Sequence, residues 1–210
     1  MNLARRTMNA PALAAVYERA WRPALFYLAS GRSMDTDRRD AARTLRLCGP
    51  KRVLDLACGP GNFTRHLSRE LTGEGRVIGL DYSEPMLAQA IRDNTAARAA
   101  YVRGDARTLP FADGAFDAVC CFGALYLIPD PLRATREMIR VLAPGGRIAI
   151  STSHRAPGWF GTVSTAVGGA GGLRVFDTAT FPALFAEAGL TDIDQQIHRL
   201  LQYVSATRPA

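Results

Sequence analysis

The segment Val53-Leu54-Asp55-Leu56-Ala57-Cys58-Gly59-Pro60-Gly61-Asn62-Phe63 joins an apolar run, an acidic residue, a glycine turn and the start of a helix. Glycines at 59 and 61 let the backbone turn sharply and approach a ligand where a Cβ would take the ligand's space. A plain structural turn satisfies the same two glycines, so their meaning depends on context. Residue 64, where a dinucleotide fingerprint would place a third glycine, is Thr, and no phosphate-loop Gly-Lys-Ser/Thr is present. With Asp55 beside the turn, the arrangement suits a ligand without pyrophosphate. Twenty-six residues after Asp55, a second apolar run ends in Gly79-Leu80-Asp81-Tyr82-Ser83, where a carboxylate can accept both hydrogen bonds of a ribose diol. A third acid, Asp105 in Gly104-Asp105-Ala106, closes a third run.

These residues need strands to carry them. Short apolar runs at 52–56, 77–81, 100–104, 116–121 and 147–152 alternate with helical patterns at 62–71, 85–94 and 132–142. Strands buried on both faces and separated by helices predict a doubly wound, mostly parallel α/β sheet. The tail adds a helix over 179–188 capped by Gly189, then strand candidates at 191–197 and 200–207, which predict an antiparallel C-terminal edge and a seven-stranded sheet. Ahead of the sheet, 11–28 shows helix-like apolar spacing interrupted by Pro23, a polar stretch spans 30–37, and 39–47 reads as a helix stopped by Gly49-Pro50. The predicted organisation is a helical cap at 1–48 and a binding domain at 49–210. A glycine-rich stretch within 155–178 is the candidate lid or substrate loop, the alternative being a merely mobile loop.

Taken together, the segments resemble a class I S-adenosylmethionine-dependent methyltransferase of the small-molecule type, close in pattern to the ubiquinone and menaquinone biosynthesis methyltransferases. The likeness runs from Arg52 to Ile150 through the glycine loop, Gly79 to Leu87, Gly104 to Phe111, Phe116 to Val119 and Leu142 to Gly146. It implies a Rossmann-like methyltransferase fold and S-adenosylmethionine as cofactor. By that resemblance Asp55, with Ala57, Cys58, Gly59, Gly61 and Phe63 of the loop, lies at the methionine amino end, and Asp81 binds the ribose hydroxyls. Tyr82 and Met86 pack beside the adenine, Asp105 accepts from its exocyclic amine, and Ala106 offers a backbone donor. Cys121 and Phe122 line the methionine end. A cationic sulfonium suits carboxylates, carbonyls and aromatic faces. Methyl transfer by in-line displacement needs chiefly alignment and desolvation, so no metal is expected.

After the fourth run the chain reads Gly123-Ala124-Leu125-Tyr126-Leu127-Ile128-Pro129-Asp130, without the Asn-Pro-Pro-Tyr-type tetrad of base methyltransferases. No nucleic-acid partner is expected. Tyr126 stands where many relatives carry histidine, and His154, just past the fifth run, is the candidate proton acceptor at the substrate rim. His66 and His198 read as structural. Tyr17, Trp21, Phe26 and Tyr27 of the cap, with Tyr126, Trp159 and Phe160, form the candidate wall of an apolar substrate pocket.

The 210 residues, 48% hydrophobic and 21% charged, fit a soluble globular chain. Cys48, Cys58, Cys120 and Cys121 form no CxxC pair, and no signal peptide or membrane span is read, which together predict reduced thiols in a cytoplasm. The net charge of +7 is concentrated in residues 1–50. It serves either solubility or an anionic surface: Arg5, Arg6, Arg19 and Arg22 flanking an apolar stripe would allow peripheral membrane association. The expected activity is methyl transfer to a small apolar or aromatic acceptor by a monomer or homodimer. The alternatives are an RNA or protein methyltransferase and a noncatalytic S-adenosylmethionine-binding interaction module.

Overall fold

In the computed structural model the described residues are 22–155 and 174–210. The five apolar runs become parallel strands β1 (Arg52–Leu56), β2 (Arg76–Asp81), β3 (Ala99–Arg103), β4 (Phe116–Phe122) and β5 (Leu142–Ser153). β6 (Thr191–His198) and β7 (Leu201–Thr207) extend the sheet antiparallel, in the order β3-β2-β1-β4-β5-β7-β6. The doubly wound sheet and its antiparallel C-terminal edge are as predicted. Strand order reverses between β1 and β4, and in open α/β sheets ligands bind outside the carboxyl ends of the strands at such a reversal.

Six described α-helices clothe the sheet: α1 (Arg22–Ser30), α2 (Met34–Thr44), α3 (Asn62–Ser68), α4 (Glu84–Asp93), α5 (Pro131–Val141) and α6 (Thr180–Glu187). Because successive strand residues point to opposite faces, the core is split in two. Val53, Val77, Ala118, Cys120 and Ala149 pack with Ala41, Ala42 and Leu45 of α2 and with Phe63 and Leu67 of α3. Leu54, Val119, Ile148 and Ile150 pack on the other side with Met138 of α5 and Phe181 and Phe185 of α6.

Two local expectations change. The polar stretch at 30–37 is not all loop: α2 begins at Met34, because the Ser33 hydroxyl accepts from the Thr36 amide at 3.1 Å and Asp35 and Asp37 occupy the first turn, where acids suit the helix dipole. Pro23 falls in α1, and the residues before Arg22 on which the expected interruption depends lie outside the described residues. The residues before Arg147 already belong to β5: Leu142 pairs with Phe116, the register shifts, and the ladder resumes with Arg147 opposite Ala118. Helices α1 and α2 are the described part of the N-terminal cap, and α2 is built into the sheet's own core rather than laid loosely over it. Most of the expected lid, residues 156–173, lies outside the described residues. Among the described residues, no helix is long and apolar enough to cross a membrane.

The segment after β3 is tied to α5 through Glu137. Its carboxylate accepts from the Leu109 amide at 2.7 Å and from Arg140, which also reaches Asp113 and the carbonyls of Leu109 and Phe111. Arg140 holds the Glu137 carboxyl below its ordinary value. A lowered folded value contributes stability above the unfolded pKa and loses it as pH falls through the folded one. The stability gap between the parent and Glu137→Gln in urea unfolding is therefore expected to be widest above the ordinary glutamate pKa of about 4.3 and to narrow as pH falls below it. A gap independent of pH would exclude the ion pair as its source.

Candidate functional site

The turn after β1 is held from three sides. The Cys58 amide donates to the Leu80 carbonyl at 3.1 Å, and the Gly59 amide donates to Asp81 Oδ2 at 2.8 Å. The other oxygen, Asp81 Oδ1, accepts from the Ser83 amide at 2.8 Å, so one carboxylate joins the β1 turn to the start of α4. Ala57 sits at φ 54, a left-handed conformation that costs a non-glycine residue about 1–2 kcal/mol. At Gly61, with φ 79, an added Cβ would lie 2.8 Å from ring carbons of Tyr101. Tyr101 donates to the Asn94 carbonyl at 2.8 Å, and Asn94 Nδ2 donates to the Pro60 carbonyl at 2.7 Å. Asn94 and Tyr101 thus brace the turn from behind. The sequence reading missed both, because they lie more than thirty residues downstream and belong to no local motif.

Asp55, only 2% exposed, accepts from the Thr64 hydroxyl at 2.6 Å, and the Cys120 thiol faces its other oxygen at 3.8 Å. Burial, and then the charge of Asp55, push the thiols of Cys58, Cys120 and Cys121 up. None of the three is a thiolate nucleophile near neutral pH. Phe63 at the start of α3 and Phe122 at the end of β4 stack with ring centroids 5.1 Å apart and planes at 30°. The crevice at the carboxyl edge therefore brings together Asp55, Ala57, Cys58, Gly59, Gly61, Phe63, Asp81 and Phe122, whereas Cys121 is fully buried within the core on the α5 and α6 side. Farther along the same edge Met86 is buried, Tyr82 is 63% exposed and Ala106 is half-buried. Asp105 is gripped by Arg107, whose Nη2 donates at 2.6 Å and whose backbone amide donates at 2.9 Å. Those bonds hold the Asp105 carboxyl below its usual range.

Other predicted residues fall elsewhere. His154 is not at an open rim: it is 5% exposed, with Nε2 2.7 Å from the Arg199 carbonyl and Nδ1 3.0 Å from the Arg155 carbonyl. Its ring ties the end of β5 to the β6–β7 turn. Tyr126, in the 3-10 turn Leu125–Leu127, packs against the core on the α5 and α6 side. Tyr27 is 54% exposed, whereas its neighbour Phe26 is buried. Tyr17, Trp21, Trp159 and Phe160 lie outside the described residues.

On the α2 face, a cavity of about 260 Å³ opens between α2 and strands β5, β7 and β6. Phe26, Phe63 and Phe122 line one part of it, and Arg32, Asp37, His198 and Tyr203 another. Sequence reading had Phe26 among its candidates but set His198 aside as structural. Arg32, Asp37 and Tyr203 carried no signal, because their shared surroundings arise only when β7 returns beside β5.

With Cys48 exposed and the other three cysteines buried, native protein is expected to release one equivalent of thiol to a colorimetric disulfide reagent near pH 8, against four after denaturation. Rapid reaction of two or more would contradict the packing around Asp55. Gly61→Ala is expected to lower stability by at least about 1–2 kcal/mol in chemical unfolding, and a neutral result would show that Tyr101 can yield.

A family model described as a methyltransferase domain matches residues 53–146. The demethylmenaquinone methyltransferase of Lactococcus lactis subsp. lactis (strain IL1403) is 42% identical over 106 residues, 49% of this chain and 42% of the relative. The chain spans about half the length of the curated relatives it matches. Among solved structures, the cyclase SpnF superposes with a TM-score of 0.70 at 22% identity, covering 85% of this chain and 82% of that one. A putative methyltransferase from Bacillus halodurans C-125 does so with a TM-score of 0.69 at 19% identity, covering 83% and 100%. These two likenesses show the fold. Residues 53–146 thus match the methyltransferase-domain family, and over about half its length the chain is similar to demethylmenaquinone methyltransferases.

Proposed function

We propose that the protein transfers a methyl group from S-adenosylmethionine to a small, apolar aromatic acceptor of the quinol type. The observation that carries this reading is the Asp81 carboxylate, fixed by two backbone amides at the topological reversal beside a turn whose glycine cannot accept a Cβ. The residues present fit the cofactor. The Gly59 and Ser83 amides hold Asp81 at the end of β2, and a carboxylate there is the acceptor that a ribose diol requires. Asp55, buried at the root of the turn, places negative charge where the methionine ammonium would lie. Met86 and Tyr82 flank the adenine, with the Ala106 amide as a donor and Asp105 shared between the exocyclic amine and Arg107.

When bound, the cofactor supplies an electrophilic methyl group on a cationic sulfonium. The stacked faces of Phe63 and Phe122 favour such a cation and exclude water from the line of transfer. The protein's part is alignment. His154 is not assigned as the proton acceptor, since both its ring nitrogens are directed at backbone carbonyls. Its role is to position the β5 end. The demethylmenaquinone methyltransferase relatives support a quinol-type acceptor, and buried reduced thiols around Asp55 support action in a reducing cytoplasm.

Calorimetric titration with S-adenosylhomocysteine tests the cofactor site. Asp81→Ala is expected to raise Kd roughly tenfold to a hundredfold, the equivalent of losing hydrogen bonds to a charged group worth about 1.5–3 kcal/mol. His154→Gln is expected to leave that Kd within about twofold. Folded wild-type protein, freed of copurified ligand, that binds neither S-adenosylmethionine nor S-adenosylhomocysteine would overturn the proposal.

A further inference from the structure

The cavity on the α2 face shares a wall with the proposed cofactor crevice. Phe63 follows the glycine turn directly, Phe122 ends β4, and both line the cavity. Ser151, also in its lining, accepts from the Gly123 amide at 3.0 Å and so fixes the chain just past Phe122. Phe63 and Phe122 thus border both spaces, so a ligand in this cavity would lie next to the crevice. At about 260 Å³ the space sits near the lower end of small-molecule pockets, roughly 300–1,000 Å³, and exceeds the roughly 150 Å³ that accepts benzene. One or two fused rings fit it.

The polar part of the lining is internally committed. Asp37, with its side chain 3% exposed, accepts from Arg32 Nε at 2.7 Å and from the Tyr203 hydroxyl at 3.1 Å. Arg32 Nη2 bonds Asp40, and the guanidinium lies 5.5 Å from the centroid of the Tyr203 ring. The remaining nitrogen, Arg32 Nη1, lies 3.4 Å from His198 Nε2. A guanidinium has no lone pair, so Arg32 must donate and His198 Nε2 must accept. That places the imidazole proton on Nδ1, which has no hydrogen-bond partner among the described residues. The ring is held edge-to-face against Tyr203, with centroids 5.4 Å apart.

Two consequences follow for a ligand. His198 presents a donor, the Nδ1–H, to an oxygen on the ring's edge. The charged lining sums to a negative surplus, since Asp37, Asp40 and Asp194 face Arg32 and Arg43, and every nitrogen of Arg32 is already engaged. A carboxylated ligand would meet that negative surplus, with Arg43 already set against Asp40 at 3.4 Å, whereas an uncharged ring loses nothing.

We propose that this cavity is the acceptor subsite, selective for an uncharged aromatic ring that carries an oxygen substituent and set against carboxylated analogues by Asp37 and Asp40. This rests on the reading of the adjoining crevice as the cofactor site. His198 is a specificity-determining residue that meets the acceptor oxygen, and Arg32 is a positioning residue that fixes its tautomer.

The test uses the full chain saturated with S-adenosylhomocysteine, titrated with 2-naphthol and, separately, with 2-naphthoate at pH 7. Wild type is expected to bind 2-naphthol at least tenfold more tightly than 2-naphthoate. His198→Ala and Phe122→Ala should weaken 2-naphthol at least fivefold. Asp40→Asn, at a half-exposed position where folding is least at risk, should narrow the naphthol-to-naphthoate ratio by at least threefold. Thermal melting of each variant separates a local effect from loss of fold. Equal affinity for the two probes, no binding of 2-naphthol, or 2-naphthol binding unmoved in folded His198→Ala overturns the acceptor subsite. Failure of wild type to bind S-adenosylhomocysteine instead overturns the cofactor reading on which it rests.

Discussion

The two backbone amides that meet the carboxylate of Asp81, from Gly59 and from Ser83, set the distance between the ends of β1 and β2. Everything at the crevice depends on that spacing. The β1 turn carries a left-handed alanine, Ala57, and two left-handed glycines, Gly59 and Gly61, in close succession, a conformation a free loop would not hold at its own expense. Asp81 fixes it from the side, the Leu80 carbonyl from below, and Asn94 with Tyr101 from behind. The result is a rigid backbone surface at the point where the strand order reverses, which is where a ligand can reach the ends of both strands at once.

The two faces of the sheet divide the work of stability and of recognition. The α5 and α6 side is apolar, with Phe181, Phe185, Met138 and Ile148 fully buried. The α2 side begins apolar over β1 and β4 and becomes polar over β5 and β7, where Ser151, Tyr203 and Ser205 face Asp37 and Arg32. A buried carboxylate costs several kcal/mol unless it is paired and hydrogen-bonded, and Asp37 is both. A fold that accepts such a cluster beside a cavity, when apolar residues would pack it at lower cost, retains it for what it meets there. At the outer edge β6 is exposed along almost its whole length and carries Asp192 and Asp194, charges that discourage pairing with another strand.

Much of the fold could be read along the chain, because its information is local. Runs such as 116–122 are buried on both sides, so their apolar character is nearly continuous, and helices bounded by Asp130 with Pro131 or by Gly189 announce their own ends. Where reading failed, a local signal had two meanings. The polar stretch 30–37 looks like a loop, but after the Ser33 cap Asp35 and Asp37 stand in the first turn of α2. His154 looked like a base because it follows a strand end, yet the β6–β7 turn folds back and covers it.

The sequence by itself determined the glycine turn, the acids Asp55, Asp81 and Asp105 that end successive strands, and the alternation of strand and helix that stacks those ends on one edge. Each is a matter of residue type at short spacing, and backbone sterics and burial turn such spacing directly into structure. Only the tertiary structure decided that Phe26, Arg32, Asp37, Phe122, His198 and Tyr203 line one cavity. They come from separate segments of the chain, and they meet because β7 inserts antiparallel beside β5 and brings the C-terminal hairpin over α2. No periodicity encodes a contact between residues 32 and 198. It exists because the long-range strand pairing that closes the sheet gives a buried carboxylate and its partners the one place where they satisfy each other.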